Sequence, residues 1–388
     1  MKILIKTSPE VGGCLVTGRR TFDRIETRPK TRATLDAALW QFVHEAGKRA
    51  VMAFFMVGVV RVAVSPPAAS AVEMTNHTAV TRISAEPRQW SMSVRWENDT
   101  FGGSDRFYTD GVALSLAHTG PSWMDPVADW LPWGQGRRTV GYDITQAMFT
   151  PADTTRTVPD PKDRPYAGIL SVGLSLHVER SNSYHGIKLL TGVVGPWSLA
   201  GETQREVHRL GGWGQSQGWD YQLKNEPIFN LAYEYRHKFL LAGDRDGWSA
   251  EALPSVGGMV GNVLTEGQVG GLLRFGYNIP NDFGITLARG MGQMPPPRRG
   301  AESRSSWGFS IYGGGVASLV LRDITLDGST FRDSPSVDKD LFVPAAGVGI
   351  AIGNRRFLAS FTYVFWGREF EGQQEYSKFG ALTCSYFF

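Results

Sequence analysis

The chain has 388 residues, of which 42% are hydrophobic, 12% aromatic and 20% charged, and this length is ample for one large domain. Its 40 basic and 37 acidic residues are spread along the whole sequence, so the formal net charge of +3 argues against a nucleic-acid partner. With only two cysteines, a disulfide framework and a cysteine-rich metal site are excluded.

A short apolar segment has the features of a secretory signal peptide. Residues 50–64 are almost continuously apolar, follow a Lys-Arg pair, and lead to Ala-Ser-Ala at residues 69–71. A membrane anchor is the alternative, but a spanning helix needs about 20 apolar residues. We therefore expect residues 1–71 to be an extension and signal peptide that is removed, and residues 72–88 to form an N-terminal segment before the main domain.

From residue 89 onward the dominant period of the sequence is two, which is typical of β-strands. In residues 89–99, Trp90, Met92, Val94 and Trp96 alternate with polar residues. The same alternation recurs in eleven further segments, near residues 111–118, 138–149, 166–178, 183–195, 227–240, 247–258, 265–278, 305–325, 341–352, 355–367 and 378–388.

An even number of such strands, apolar on one face, is typical of an outer-membrane β-barrel. A soluble sandwich has the same period, but the chain ends on a strand with Tyr386 and Phe388 at alternate positions. This ending resembles the aromatic C-terminal signal that barrel-insertion machinery reads, so we expect that machinery to be a partner. The predicted fold is all-β, a single transmembrane antiparallel β-barrel of about twelve strands in residues 89–388.

Three segments depart from the strand pattern. Residues 201–212 contain helix formers, with acids early, arginine late and glycine beyond the end, which predicts a short helix in an extended loop. Residues 121–138 and 294–304 are rich in turn-forming residues and are predicted as loops between strands.

A polar group at the end of the first strand could bind a cation. Asn98 and Asp99 end this strand and Thr109 opens the next, so a hairpin would bring the three residues to one rim. Carboxylate, amide and hydroxyl oxygens are the ligands that Ca²⁺ prefers. The plainer interpretation is that Asn-Asp forms a turn and that Thr109 is an ordinary strand residue.

His208 differs from the other histidines because it lies on the predicted loop helix among charged residues, where it could act as a general base. A single surface histidine is more often merely solvated. The chain contains no H-E-x-x-H or P-loop motif. Water activated by a histidine, with a cation polarising a carbonyl, is the chemistry that these residues could perform.

An ordered set of motifs across residues 89–388 resembles the outer-membrane lipid A 3-O-deacylase family. The motifs are Glu97-Asn-Asp-Thr100, Ser104-Asp-Arg-Phe-Tyr-Thr-Asp-Gly111, Asp163-Arg-Pro-Tyr-Ala-Gly168, Val207-His-Arg-Leu-Gly211, Asn225-Glu-Pro227 and Leu326-Asp-Gly-Ser-Thr-Phe331. The resemblance implies a twelve-stranded barrel in the bacterial outer membrane. It also implies Ca²⁺-dependent removal of the 3′-linked acyloxyacyl group from lipid A, by a mechanism similar to that of secreted phospholipase A2.

The resemblance also implies roles for individual residues. Asn98 and Asp99 match the family's calcium and catalytic pair, Thr109 matches an active-site hydroxyl residue that we count as a third calcium ligand, and His208 matches the general base. One departure is Gly214, because the family has an acidic residue six positions beyond this histidine. Either another acid takes that role here or the site is altered.

Basic residues near the predicted rim are candidates for binding the substrate, lipid A in the outer leaflet. Arg106, Lys162 and Arg164 could meet its phosphates, although ordinary rim charges are an equal explanation and the Asp163-Arg164 motif could be structural. Two alternatives stay open at this stage. The protein could be a phospholipase-like esterase with the same chemistry, or a non-catalytic pore or structural barrel that keeps the fold.

Overall fold

The computed structural model describes residues 88–103, 106–244, 246–285 and 307–388. The predicted signal peptide and the predicted loop at residues 294–304 lie outside the described residues. The strands are β1 (Gln89–Asn98), β2 (Phe107–Thr119), β3 (Arg137–Thr150), β4 (Ala167–Glu179), β5 (Ser183–Val194), β6 (Glu226–His237), β7 (Phe239–Gly243), β8 (Trp248–Gly261), β9 (Leu264–Tyr277), β10 (Gly308–Asp323), β11 (Phe342–Gly353), β12 (Phe357–Trp366) and β13 (Ser377–Phe387).

Three α-helices lie in the described connections: α1 (Asp125–Trp130), α2 (Ala200–Gly211) and α3 (Ile324–Asp327). Short 3₁₀ turns occupy Asp99–Gly102, Pro196–Ser198 and Trp219–Tyr221. Within the described part of the chain, none of the helices has the length and apolar character needed to span a membrane.

The strands form one closed antiparallel sheet. Except for β6 and β7, each pairs with its neighbours in sequence, and β1 pairs with β13 and β6 with β8. The short β7 pairs with β8 alone and continues the line of β6 beyond Lys238, so the thirteen segments occupy twelve positions around the barrel. The β6–β8 pairing closes the sheet, so the backbone groups of the wall are hydrogen-bonded between strands, as a membrane requires. The predicted barrel of about twelve strands is confirmed.

The two faces of the wall differ as the alternation predicts. In β1, Met92, Val94 and Trp96 are exposed on the outer face, whereas Arg95 and Glu97 are buried in the interior and form an ion pair. Further interior ion pairs join Lys188 to Asp143, Arg236 to Glu234, Arg274 to Glu251 and Asp282, and Arg164 to Glu369. Polar and charged side chains therefore line the interior, as is typical of outer-membrane barrels.

The segment that follows β9 fills the interior at the end of the barrel where β1 begins and β13 ends, here called the terminal end. Arg274 Nη1 donates to Asp282 Oδ1 at 2.5 Å, and Arg236 Nη1 donates to the Phe283 carbonyl at 2.8 Å. A cavity beside Glu234 and Arg236 has a volume of about 30 Å³, the space of one water molecule. This packed interior disfavours the alternative of an open pore.

The connections at the opposite end, here called the site end, carry α2, α3 and the turn after β1. Long loops are typical of the outer end of such barrels. The loop predicted at residues 121–138 instead contains α1, which packs on the outer wall at the terminal end with Ala128 buried against Leu176 and Val178. The predicted helix at residues 201–212 corresponds to α2.

Candidate active site

A polar pair interrupts the apolar outer wall at the site end of β1 and β2. Asn98 and Asp110 are direct partners in the register, two residues beyond the outward-facing pair Trp96 and Val112. Because side chains alternate along a strand, Asn98 and Asp110 share that outer face. Asp110 Oδ2 accepts hydrogen bonds from Asn98 Nδ2 at 2.8 Å and from Trp96 Nε1 at 3.2 Å. The pair therefore places a carboxylate on the lipid-facing side of the barrel.

Asp99 lies beside this pair at the start of the 3₁₀ turn. Asn98 caps the turn, since its Oδ1 accepts from the Thr100 backbone N–H at 2.8 Å. Asp99 is buried, and its Oδ2 accepts from the Arg106 backbone N–H at 2.5 Å. The turn ends at Gly103 with φ of 75°, a conformation that glycine adopts without steric cost. The hairpin thus holds a second carboxylate next to Asn98 but shields it from solvent.

A β-bulge determines where the residues of β2 point. The register shifts between Tyr108 and Asp110, so Tyr108 turns inward to donate to Glu97 while Asp110 turns outward. Thr109 is the extra residue, and it is buried with its hydroxyl 2.7 Å from that of Thr150. In this structure the Thr109 hydroxyl is therefore engaged within the wall, beside the polar pair rather than among its side chains.

Helix α2 packs on the outer wall over β3 and β4, at the level of the polar pair. Met148 is the register partner of Asp110 and lies in a buried cluster with Ala200 of α2 and Trp219. Trp219 Nε1 also donates to Gln204 Oε1 at 2.6 Å. This apolar and polar anchoring fixes the helix on the barrel although it belongs to the long connection between β5 and β6.

His208 lies on the side of α2 that faces the wall, where it is buried together with Ala200, Gly201 and Gln204. Its Nδ1 is 2.5 Å from the Gly214 carbonyl oxygen. Because a carbonyl can only accept, Nδ1 carries the proton and Nε2 is left as the basic nitrogen. His208 also interacts electrostatically with Asp110. The loop helix therefore brings the histidine to the polar pair on the outer wall.

Gly214 is the position at which the resemblance implied an acid. Here its backbone carbonyl holds the imidazole, and the Trp213 ring meets the imidazole edge-on at a centroid distance of 5.8 Å. A Cβ atom added at Gly214 would have nothing within 4 Å. At the position where the resemblance implied an acidic side chain, the main-chain carbonyl of Gly214 therefore orients the histidine.

The three basic residues expected to bind substrate have different positions. Arg106 is partly exposed, and its Nη2 donates to Glu375 Oε2 at 2.5 Å. Lys162 is exposed in the loop between β3 and β4. Arg164 is fully buried, with its guanidinium bonded to Glu369 at 3.0 Å and to Thr325 at 2.9 Å. The expectation that Arg164 meets lipid phosphates does not fit this position, because an interior ion pair encloses it.

Asp110 is the site residue that the sequence reasoning missed. The alternation of Val112, Leu114 and Leu116 on the outer face, continued two residues back, places Asp110 on that face. A charged residue in line with an apolar lipid-facing row is unusual and indicates function. The alternation in the two strands of the predicted hairpin could therefore have indicated that Asp110 pairs with Asn98.

The oxygen donors at this rim suit a hard cation. Asn98 contributes an amide and Asp99 and Asp110 contribute carboxylates, which are ligands that Ca²⁺ prefers. Among the described residues, no group of three or more His, Cys, Asp or Glu side chains converges on one metal position. The donor set therefore fits Ca²⁺ in its chemistry, with water or substrate oxygens completing the shell, and offers no thiolate or imidazole cage for a softer metal.

Comparison with known proteins supports this architecture. A family model described as outer membrane protein LpxR matches residues 54–388. Among solved structures, LpxR from Salmonella typhimurium matches with a TM-score of 0.62 and 19% identity over 77% of this chain and 100% of that chain. The beta domain of the Bordetella autotransporter BrkA matches with a TM-score of 0.35 and 14% identity over 77% of this chain and 98% of that chain.

No curated protein matches this chain in sequence. At 19% identity, the similarity to the Salmonella structure shows a shared fold. The family model carries the assignment because it covers most of the chain, and it confirms both the family resemblance of the motifs and the outer-membrane location. This protein belongs to the LpxR family of outer-membrane proteins.

Proposed function

We propose that the protein is a calcium-dependent esterase that removes the 3′-linked acyloxyacyl group from lipid A. The observation that supports this proposal is the packing of α2, which carries His208, on the outer wall beside Met148, the register partner of Asp110, with Asn98 bonded to Asp110. A hydrolytic site on this face meets membrane lipids, whereas a site in the lumen would meet soluble substrates. Membership of the LpxR family and the outer-membrane location support lipid A as the lipid.

In the proposed reaction, His208 is the general base. The Gly214 carbonyl holds the proton on Nδ1, so Nε2 takes a proton from water as that water attacks the ester carbonyl carbon. The bond between this carbon and the sugar-linked oxygen then breaks, and the imidazolium returns its proton to the leaving alkoxide. The products are the free acid and the sugar hydroxyl. Asp110 stabilises the transient positive charge on the ring, since the two groups interact electrostatically.

Calcium completes the proposed site. Asn98, Asp99 and Asp110 are the residues that would hold the cation at the rim, through amide and carboxylate oxygens. When bound, Ca²⁺ would supply Lewis-acid polarisation of an ester carbonyl. Thr109 lies within the wall behind these residues, where its bond to Thr150 holds the bulge that turns Asp110 outward.

The surroundings of the site suit a phosphorylated lipid. Val112 and Leu114 are exposed on the outer wall next to Asp110, along the path that acyl chains would take. Arg106 and Lys162 stand at the same end and are exposed enough to meet phosphate groups. An amphiphile anchored in the outer leaflet would thus present its ester bonds near His208.

The test is the lipid A mass spectrum of cells that express wild-type protein or His208→Asn. Asparagine can still donate to the Gly214 carbonyl but cannot take a proton from water, so we expect a loss of about 100-fold or more in deacylation. His185→Asn is the matched control, because His185 is bonded to Tyr233 on strands away from the site. Equal heat-modified mobility of all three barrels would establish correct folding.

Wild-type cells should lose the mass of one acyloxyacyl group, and cells with His208→Asn should not. Unchanged lipid A together with fatty acid released from phospholipids would replace the proposal with a phospholipase-like esterase. No lipid change in wild-type cells supplied with Ca²⁺ would overturn it in favour of a non-catalytic barrel.

A further inference from the structure

Helix α2 has three distinct faces. The buried face, which includes Ala200, Gln204 and His208, packs on the barrel. At 100° per residue, the charged residues form a second face, comprising Glu202, Arg205, Glu206 and Arg209. The third face, here called the apolar edge, is formed by Val207 and Leu210, which are 43% and 79% exposed. Such a division is typical of a helix that lies in a membrane interface.

The start of α2 lies beside the lipid-facing belt of the barrel. Gln146 Nε2 donates to the Ser198 carbonyl at 2.6 Å, which ties the start of α2 to the outer face of β3. Ile144, which precedes Gln146 by two residues on β3, is exposed on the same face, and so is its register partner Val172 on β4. The helix therefore lies at the margin of the hydrocarbon-facing surface, where an apolar edge has a lipid to contact.

Leu199 gives independent support. It precedes α2 with φ of 57° and ψ of 19°, in the left-handed region that branched side chains seldom occupy. Its carbonyl accepts from the Thr203 side chain at 2.9 Å, which holds this geometry. The Leu199 side chain is 56% exposed, which is unfavourable in water but reasonable where the leucine contacts lipid.

We propose that the apolar edge of α2 inserts into the hydrocarbon of the outer leaflet and so fixes the depth of His208 at the level of the ester bonds. The consequence for catalysis rests on the function proposed above, whereas the insertion itself does not. The membrane is the expected occupant because α2 has one charged face for water and one apolar edge beside the lipid-facing belt. A second copy of the chain is the competing occupant in the test.

Insertion can be measured without turnover. In full-length protein with Cys14→Ser and Cys384→Ser, an environment-sensitive fluorophore is attached to Leu210→Cys or, as the matched control, to the adjacent Arg209→Cys on the charged face. The proteins are reconstituted in phosphatidylcholine vesicles with or without brominated acyl chains. We expect at least twofold greater quenching by the brominated chains at position 210 than at position 209. Equal quenching would overturn the insertion, as would shielding at position 210 that disappears when protein is diluted in the vesicles.

The effect on catalysis is measured with Leu210→Glu and the control Arg209→Glu. A carboxylate on the apolar edge should lift α2 from the hydrocarbon and lower lipid A deacylation in vesicles at least tenfold, while Arg209→Glu stays within about twofold of wild type. Wild-type turnover in Leu210→Glu would show that the edge does not set the depth of His208. If His208→Asn kept full activity, the proposed function would fail while the quenching result stood by itself.

Discussion

Replacement of Asp110 by asparagine isolates the charge of a carboxylate that stands on the outer wall at the site. The side chain keeps its size, and its amide oxygen can still accept from Asn98 Nδ2 and Trp96 Nε1, which are 2.8 and 3.2 Å from Asp110 Oδ2. What is lost is the negative charge. A hydrogen bond to a charged group contributes about 1.5–3 kcal/mol, against about 1 kcal/mol for a neutral pair.

The charge also acts on the neighbouring imidazole and on any bound cation. The difference between a charged and a neutral hydrogen bond is therefore about 0.5–2 kcal/mol, and if it is lost in full from the transition state the rate falls about 2- to 30-fold, since each 1.4 kcal/mol is about tenfold. We therefore expect Asp110→Asn to fold normally, to deacylate lipid A about 2- to 30-fold more slowly, and to need a higher Ca²⁺ concentration for half-maximal rate.

The assay is the release of acyloxyacyl groups from purified lipid A by protein in detergent, with Ca²⁺ varied by a buffered chelator. Asp153→Asn is the control, because Asp153 lies exposed in the loop between β3 and β4. If Asp110→Asn matched wild type in both rate and Ca²⁺ requirement, the reasoning that places Asp110 in the site would be refuted.

Three further outcomes follow from the contacts. Gly214→Ala should keep its rate within about twofold of wild type, because the acceptor for His208 is a main-chain carbonyl and the added Cβ has nothing within 4 Å; a larger loss in the same assay would contradict that orientation. Arg164→Met should lower the free energy of unfolding by about 3–5 kcal/mol, since it leaves Glu369 buried without its cation, and the double variant with Glu369→Leu should recover much of that loss in urea titrations followed by heat-modified mobility. Removal of Ca²⁺ with chelator should stop deacylation while barrel mobility stays unchanged, and full activity after exhaustive chelation would rule out a metal requirement.

Most of the barrel could be predicted from the sequence. Alternation of apolar and polar residues depends only on the two-residue period of a strand, so the segments near residues 138–149 and 341–352 correspond closely to β3 and β11. The loop helix was predictable from its own helix formers and glycines, and it corresponds to α2. The short α1 was not predicted, because its six residues carry too little periodicity and its packing on β3 and β4 stabilises it.

The sequence indicated some residues of the candidate site, but it did not indicate how they are arranged. Local sequence indicated Asn98, Asp99 and His208 as residues of interest, because hairpin ends and loop helices are common positions for chemistry. Only the tertiary structure brings them together, since α2 lies about a hundred residues along the chain from β1 and reaches it by packing on the outer face of β3 and β4. The bulge at Thr109 likewise decides that Asp110 points to lipid, and enclosure by the barrel decides that Arg164 does not. Hydrophobic periodicity and helix propensity depend on residues that are close in sequence, so the sequence predicts them. The burial of a side chain, the face of the sheet on which it lies and its distance from residues far along the chain are determined when the sheet closes and the loop helix packs on its wall.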